Sequence, residues 1–274
     1  MFVGDGETMS STISIGIHGA AGRMGQRLVA LAAADDQLEV AAALESAQHP
    51  RLGEDAGQVA GGQPLGVPLS AELTSSVAVM IDFSVPAALA GVVELCAAES
   101  IPLVVATTGL DDGQQQLLQK TAEKIPLVWA PNMSMAVNLT MQLTDLAAKV
   151  LGGVATGVDA EVIDRHHRYK EDSPSGTALK FGQIIAEGMG QTEHVHGREG
   201  ILGPRSQAEI GYHALRVGDN PGEHTIVFGM LGETIELTVR ATSRDCYALG
   251  ALAAAKYLSD KDPGLYAMSD VLGL

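Results

Sequence analysis

The densest group of side chains that could do acid–base chemistry lies in one basic loop. It contains Arg165, His166, His167, Arg168 and Lys170, all within six residues. A histidine titrates near neutral pH and suits the role of proton donor, and a lysine four residues later adds a positive charge. The whole chain has a formal net charge of −16. Such a cluster must either be balanced by buried acids or face an anion, and it therefore predicts a catalytic site for an anionic small molecule.

A helix start follows this loop directly. Residues 173–177 read Ser-Pro-Ser-Gly-Thr and open an amphipathic segment. The first N–H groups of a helix have no partner within it, so they bind anions readily. The segment therefore predicts a carboxylate-binding site next to the basic loop. A strand is predicted at 160–164, directly before that loop. Arg165 and Arg168 fit structural ion pairs and substrate contacts equally well.

A second motif, near the start of the chain, has the form of a nucleotide-binding turn. A β-branched strand is predicted at 12–18, and it runs into Gly19–Gly25, GAAGRMG, which opens a helix. Glycines here allow a tight turn and let the backbone approach a pyrophosphate. The next predicted strand, 38–44, ends at Glu45, where a carboxylate can accept hydrogen bonds from ribose hydroxyls. The motif predicts dinucleotide binding, and a plain glycine-rich turn is the alternative.

Alternating strand and helix patterns give the fold class. Continuous apolar strands are predicted at 77–83, 102–106 and 126–130, as in a parallel sheet covered on both faces. Their carboxyl ends share one edge, where ligands of open α/β sheets bind. Beyond a linking helix at 134–151, the period changes to that of alternating strands separated by turns, after a long polar loop at 191–207.

The chain is therefore predicted to be α/β with two domains. A Rossmann-like doubly wound parallel sheet domain is expected at 1–133 and 243–274. A smaller α+β domain with an open mixed sheet is expected at 134–242, and its open face is a plausible oligomer surface.

Composition excludes several other classes. The acidic balance argues against nucleic acid and anionic membrane surfaces as partners. The first residues lack the features of a signal peptide and no apolar run is long enough to span a membrane, so a cytoplasmic protein is expected. The histidines and acids show no usual zinc spacing, and no metal site is predicted.

These motifs together resemble those of the dihydrodipicolinate reductase family. The resemblance is carried most specifically by HHRYK at 166–170 followed by SPSGT at 173–177, and it continues in order along nearly the whole chain. It implies an NAD(P)H-dependent oxidoreductase that reduces 4-hydroxy-tetrahydrodipicolinate (dihydrodipicolinate), a small cyclic dicarboxylate, to tetrahydrodipicolinate in lysine and diaminopimelate biosynthesis. It also implies a homotetramer joined through the C-terminal domains, and closure of the two domains over the substrate.

The resemblance also implies residue roles. His166 would be the proton donor, and Lys170 would bind and polarise the substrate. The substrate carboxylate would lie against His167, Ser175, Gly176 and Thr177. The pyrophosphate and adenosine ribose of the cofactor would lie against Gly19, Gly22, Arg23, Met24, Gly25 and Glu45. The nicotinamide half would lie against Phe83, Ala106, Thr107, Thr108, Ala130, Pro131, Asn132 and Met133.

One departure from the family pattern bears on the cofactor. Members that use NADPH well often carry a basic residue just after the ribose glutamate, where this chain has Ser46 and Ala47. A 2′-phosphate beside Glu45 would be repelled without an adjacent cation, so NADH is favoured over NADPH. Arg51 and Arg23 are the cations that remain to compensate.

Two other functions stay open on the sequence. One is another Rossmann-type dehydrogenase of an amino-acid pathway, against which the HHRYK and SPSGT pair argues. The other is a non-catalytic regulator that binds NADH, against which intact His166 and Lys170 argue.

Overall fold

The computed structural model describes residues 12–274, which form two compact units. The first unit contains the described residues up to Met133 together with Tyr247–Leu274, and the second is Ser134–Cys246. The chain thus returns to the first unit at Tyr247, whereas the sequence placed the return at 243. Residues 1–11, on which the expectation about a signal peptide rests, lie outside the described part.

The elements alternate between strands and helices through the first half of the chain. In chain order they are β1 (Ile13–His18), α1 (Arg23–Ala32), β2 (Leu38–Leu44), α2 (Ala56–Val59), β3 (Leu69–Ser70), β4 (Val79–Asp82), a 3₁₀ turn (Pro86–Ala88), α3 (Leu89–Glu99), β5 (Leu103–Val105), α4 (Asp112–Ala122), β6 (Pro126–Trp129), α5 (Met135–Leu151), β7 (Asp159–His166), α6 (Gly176–Met189), β8 (Glu193–His196), β9 (Glu209–Arg216), β10 (Gly222–Met230), β11 (Glu233–Ala241), α7 (Asp245–Leu258), β12 (Gly264–Tyr266) and α8 (Met268–Leu272).

The first unit is built on a parallel sheet of seven strands. Their order is β12-β6-β5-β4-β1-β2-β3, and β1 pairs with both β2 and β4. The chain therefore leaves β1 toward one edge and later returns to its other side, which creates the switch point at which such sheets bind ligands. The prediction of a Rossmann-like doubly wound sheet is confirmed.

Apolar side chains cover both faces of this sheet. Ile15 and Ile17 of β1 lie in one cluster, which also includes the alanine-rich face of α7, and Met80 of β4 lies in the other. Strands β4 and β5 are buried along their whole length, as expected from their apolar residues, and the buried residue that ends β4 is Asp82. The aliphatic cores fix the strand ends, and with them the loops that follow.

The second unit is a mixed sheet with one covered face. The strand order is β11-β10-β7-β9-β8, with β10 antiparallel to its neighbours and β7, β9 and β8 mutually parallel. In β7, Ala160 and Val162 are fully buried in a cluster with α5 and α6, whereas the alternating residues Glu161 and Ile163 are half-buried. The predicted open mixed sheet is confirmed.

One detail of this unit differs from the sequence expectation, because part of the predicted long loop at 191–207 forms the edge strand β8. The strand order, in which β7 lies between β9 and β10, does not follow from the sequence pattern. Alternation along a strand reveals which residues share a face, but it does not reveal the neighbouring strand. Across residues 12–274, no helix has the length and apolar character that crossing a membrane requires.

Candidate active site

Strand β7 ends in a buried pair of ionisable side chains. Asp164 and His166 are two residues apart, so both point to the face of the sheet that the helices cover. Asp164 is 1% exposed and His166 is 7% exposed. Asp164 Oδ1 lies 2.6 Å from His166 Nδ1. A buried histidine in contact with a buried carboxylate is a candidate proton donor.

The second oxygen of Asp164 is held by two donors. Oδ2 accepts a hydrogen bond from the backbone N–H of Ser175 at 2.8 Å and one from the Arg216 guanidinium at 3.1 Å. Burial works to raise the pKa of Asp164, but the contacts from His166, Ser175 and Arg216 outweigh burial and hold that pKa well below its usual range. The carboxylate is therefore ionised at neutral pH.

A second histidine completes the buried group. His224, on β10, is 4% exposed, and its Nε2 lies 3.1 Å from Ser175 Oγ and 3.5 Å from Asp164 Oδ1. Its ring meets that of His166 edge-on, with 5.2 Å between centroids. Burial lowers the pKa of His224 to about 4, against the pull of Asp164. The imidazole of His224 is therefore neutral at pH 7.

The basic loop beyond β7 turns back on itself. The Lys170 N–H donates to the His167 carbonyl at 3.2 Å, and the His167 N–H donates to the Asn220 carbonyl at 2.8 Å. The Lys170 side chain is 23% exposed, and its Nζ lies 2.7 Å from an Asp172 carboxylate oxygen. The lysine thus reaches a carboxylate of its own loop, which shows the kind of group that its Nζ can hold.

Helix α6 begins beside the buried group. Ser175 is its N-cap: the side chain accepts a hydrogen bond from the Ala178 N–H, while its own N–H goes to Asp164. Both polar groups of Ser175 are therefore engaged within the protein. Gly176 is exposed and Thr177 is half-buried in the first helical turn. The predicted catalytic and carboxylate-binding segments thus lie together in the second unit.

The two arginines of the basic loop differ in their surroundings. Arg165 lies 3.4 Å from Glu223, whose carboxylate also accepts hydrogen bonds from Arg240 at 2.7 and 3.1 Å. Arg165 is therefore part of a structural ion network on the outer face of the sheet. Arg168 is exposed, and its N–H donates to the Gly218 carbonyl.

The glycine turn of the first unit has the close packing that its sequence suggests. Gly19 has φ +83°, and a Cβ there would lie 2.7 Å from the Phe83 carbonyl oxygen. A Cβ on Gly25 would lie 2.7 Å from Ala20 Cα. Only glycine fits these positions, and the first turn of α1 is thereby drawn tightly under the loop. Gly22 is the exposed N-cap of α1.

The predicted ribose ligand lies beside this turn. Glu45 follows β2 directly, and its Oε2 accepts a hydrogen bond from the Ala21 N–H at 3.1 Å, while its Oε1 accepts one from the Ser46 N–H. In the first turn of α1, Arg23 is exposed and Met24 is half-buried. The glutamate and the glycine turn predicted to bind one nucleotide therefore meet in space.

The predicted nicotinamide ligands follow three other strands. Phe83 follows β4, Ala106–Thr108 follow β5, and Ala130–Met133 follow β6, so all lie at the carboxyl edge of the parallel sheet. Ala106, Thr107, Ala130 and Met133 are buried, Phe83 and Asn132 are half-buried, and Thr108 and Pro131 are exposed.

A buried carboxylate joins these loops. Asp82 is fully buried, and its Oδ1 lies 2.7 Å from His18 Nδ1. Its Oδ2 accepts a hydrogen bond from Thr107 Oγ1 at 2.7 Å. Thr107 Oγ1 in turn accepts a hydrogen bond from the Ser84 N–H. The Thr107 hydroxyl, predicted to line the cofactor, is thus engaged within the protein.

Sequence reasoning assigned no role to three members of the buried group in the second unit. They are Asp164, Arg216 and His224. The spacing of Asp164 and His166 in a strand was a usable signal, because residues two apart share a face. No local signal connects His224 and Arg216 to β7, since strand pairing alone brings them there.

Asp164, His166 and His224 also form a set of atoms that could ligate a metal ion, all within 4.8 Å of one another. His224 lies far along the chain from the other two residues, so no rule based on sequence spacing identifies the set. In the structure these atoms contact one another and Ser175. The expectation of no metal site stays a prediction.

Comparison with known proteins places this arrangement in a family. Family models described as dihydrodipicolinate reductase, N-terminus, and dihydrodipicolinate reductase, C-terminus, match residues 13–133 and 136–272. The 4-hydroxy-tetrahydrodipicolinate reductase of Rhodopirellula baltica is 56% identical over 270 residues, which cover 96% of each chain. That of Alkalilimnicola ehrlichii is 44% identical over 269 residues, 96% of this chain and all of the relative.

The fold comparison agrees. The dipicolinate-bound dihydrodipicolinate reductase from Paenisporosarcina sp. TG-14 superposes with a TM-score of 0.76 at 26% identity, covering 93% of this chain and 97% of the other. A second solved structure, GenD2 from gentamicin A biosynthesis in complex with NAD, is 14% identical with a TM-score of 0.60 over 99% of this chain and 93% of its own, and so shares the fold alone. On sequence and structure together, the chain belongs to the dihydrodipicolinate reductase family.

Proposed function

We propose that the chain, an oxidoreductase, reduces 4-hydroxy-tetrahydrodipicolinate to tetrahydrodipicolinate with NADH or NADPH, as a cytoplasmic step of lysine and diaminopimelate biosynthesis. The observation that carries the proposal is the buried His166 next to ionised Asp164, with the Lys170 ammonium four residues beyond. This arrangement supplies a proton and a positive charge beside a helix start that can hold a carboxylate.

The glycine turn fits the dinucleotide. The space left by the missing side chains at Gly19 and Gly25 lets the backbone approach a pyrophosphate, and Arg23 adds a cation at the first turn of α1. Glu45 is placed to accept hydrogen bonds from the adenosine ribose. The 4-hydroxyl group of the substrate leaves as water, which gives the conjugated C=N system. When bound, the dihydronicotinamide would supply the hydride that reduces this system.

The residues of the second unit handle the charge and the proton. Hydride addition leaves negative charge on the conjugated system of the substrate. In this proposal Lys170 exchanges Asp172 for the substrate and stabilises the developing charge. His167 and the first-turn N–H groups of Gly176 and Thr177 hold a substrate carboxylate. His166 then donates the proton.

The direct test is an assay of dihydronicotinamide oxidation. The substrate is generated enzymatically in the cuvette. We expect oxidation that depends on the substrate. Binding of NADH without such turnover would favour the regulator, and turnover with homoserine or aspartate-type substrates instead would favour the other class of dehydrogenase.

Cofactor choice gives a further prediction. Glu45 offers negative charge where NADPH carries its 2′-phosphate, and the next residue, Ser46, carries no charge. We expect kcat/KM to be higher with NADH than with NADPH. Ser46→Arg should raise kcat/KM for NADPH about fivefold or more, since a charge contact near a surface is worth roughly 1 kcal/mol or more. Steady-state kinetics with both nucleotides measure the change, and the NADH value of the same variant is its control.

We also propose a homotetramer formed through the open face of the second unit's sheet. That face carries Ile163 together with the hydrogen-bonded pair Thr225 and Thr238, which are at most half-buried in the single chain. An open apolar and hydroxyl-bearing sheet face is better covered by another copy than by water. Light scattering in solution checks this directly: a mass of about four chains is expected, and a monomer contradicts it.

A further inference from the structure

We propose that Asp164 is a positioning residue, which holds the proton of His166 Nδ1 so that Nε2 is the atom that donates to the substrate. The inference rests on the proposed function, because it explains how the proposed proton donor is kept in a working form. No role for Asp164 followed from the sequence motifs.

The first step of the argument is the isolation of the contact. Asp164 Oδ1 and His166 Nδ1 are 2.6 Å apart and both are buried, and neither atom makes a hydrogen bond of good geometry within the described chain. The next nearest polar contact of Oδ1 is His224 Nε2, at 3.5 Å. A buried polar atom without a partner is costly, so these two atoms depend on each other. Since the carboxylate is ionised, it can only accept, and the hydrogen must reside on Nδ1.

The second step is the fixed orientation of the carboxylate. The Ser175 N–H and the Arg216 guanidinium are both donors, and both are directed at Oδ2. Oδ2 must therefore be an acceptor, and Oδ1 is left to face the histidine. The carboxylate is locked by groups that are themselves anchored in α6 and β9.

The third step concerns the neighbours that could compete for the same proton. His224 is the other titratable group packed against the pair, and it is neutral, with its Nε2 directed to Ser175 Oγ. The Lys170 ammonium and the Arg216 guanidinium carry only donors. Asp164 is therefore the one carboxylate contact of His166 within residues 12–274.

The proton balance follows. In the reacting form that the proposal requires, His166 carries a hydrogen on each ring nitrogen. The Nε2 hydrogen passes to the substrate and neutralises the charge that the hydride introduced. The ring is then neutral and keeps its hydrogen on Nδ1, where it is directed at the Asp164 carboxylate. Water returns a proton to Nε2 for the next cycle.

Asp164→Asn tests this with almost no change of shape. The donors at Oδ2 require the amide oxygen there, which places the amide NH₂ at the Oδ1 position, against His166 Nδ1. Two donors cannot face each other, so Nδ1 must lose its hydrogen and the neutral ring must carry it on Nε2. The imidazolium is disfavoured in the same way. We expect turnover to fall about 10²–10⁴-fold, the range for loss of general acid catalysis, mainly in kcat with KM little changed.

The readout that a merely structural role would not move is the location of the ring hydrogen. Long-range ¹H–¹⁵N NMR of histidine-labelled protein reports it, with His166 assigned from the signals missing in His166→Gln. We expect a hydrogen on Nδ1 in the wild type and on Nε2 alone in Asp164→Asn. Asp164→Glu should recover part of the turnover. Asp159→Asn, an exposed carboxylate at the other end of β7, is the matched control and should change neither measurement.

The outcomes separate the two proposals. An unprotonated Nδ1 in the wild type, or full turnover in Asp164→Asn, overturns the positioning role. The wild-type spectrum decides even if the variant does not fold. A wild type without substrate-dependent turnover overturns the proposed function, while the NMR result still tells whether Asp164 sets the tautomer.

Discussion

Replacement of His166 by glutamine is expected to lower turnover about 10²–10⁴-fold, the usual contribution of a positioned general acid. Glutamine can donate a hydrogen bond to Asp164 but has no proton to give at neutral pH. The buried group should therefore hold together, and the loss should fall on kcat more than on KM. Steady-state kinetics with NADH and the enzymatically generated substrate measure the effect.

His196→Gln is the matched control for this experiment. His196 lies on β8, is exposed, and stacks on Tyr212 with 5.0 Å between ring centroids. We expect wild-type turnover from it. Equal turnover in His166→Gln and the wild type would remove His166 from the chemistry, provided thermal unfolding shows both proteins folded.

Replacement of Lys170 by methionine is expected to lower kcat/KM by about 10²–10³-fold, as for other groups that stabilise charge in a transition state. Methionine keeps most of the length and the apolar stem but removes the ammonium. Because the only ion pair of Lys170 Nζ within residues 12–274 is with the exposed Asp172, little folding energy depends on it. The loss should therefore appear in both substrate binding and turnover, without a fall in melting temperature.

Lys180→Met tests whether any lysine near this helix matters. Lys180 is exposed on α6 and contacts Gln183. It should behave as the wild type. A Lys170→Met enzyme with an unchanged kcat/KM would contradict the role of the ammonium and leave the helix start as the only anion grip.

The parts of the site that the sequence predicted are those whose residues lie close together along the chain. The glycine turn and the position of Glu45 at the end of the next strand can be predicted from the strand and helix periods. In the structure, Glu45 accepts a hydrogen bond from the Ala21 N–H of that turn. His166 and Lys170 lie four residues apart in one loop. In each case the chain between the members is short, so the sequence nearly fixes their separation.

The remaining parts depend on strand pairing. His224 and Arg216 meet Asp164 because β10 and β9 flank β7, an order that the alternating patterns leave undetermined. The alternation of apolar and polar residues shows which side chains share a face of the sheet. Which strands pair with each other depends on the packing of the whole domain.

The buried Asp82 has a consequence for nucleotide affinity. It ties together the ends of β1 and β4 and the loop after β5 through His18, its own backbone and Thr107. The conformations of loops joined in this way are coupled to one another. Their conformational entropy is lost when the protein folds, and little of it remains to be lost when the nucleotide arrives. The first unit is thus preorganised, so its affinity for the dinucleotide should reflect the contacts formed rather than the cost of ordering the loops that form them.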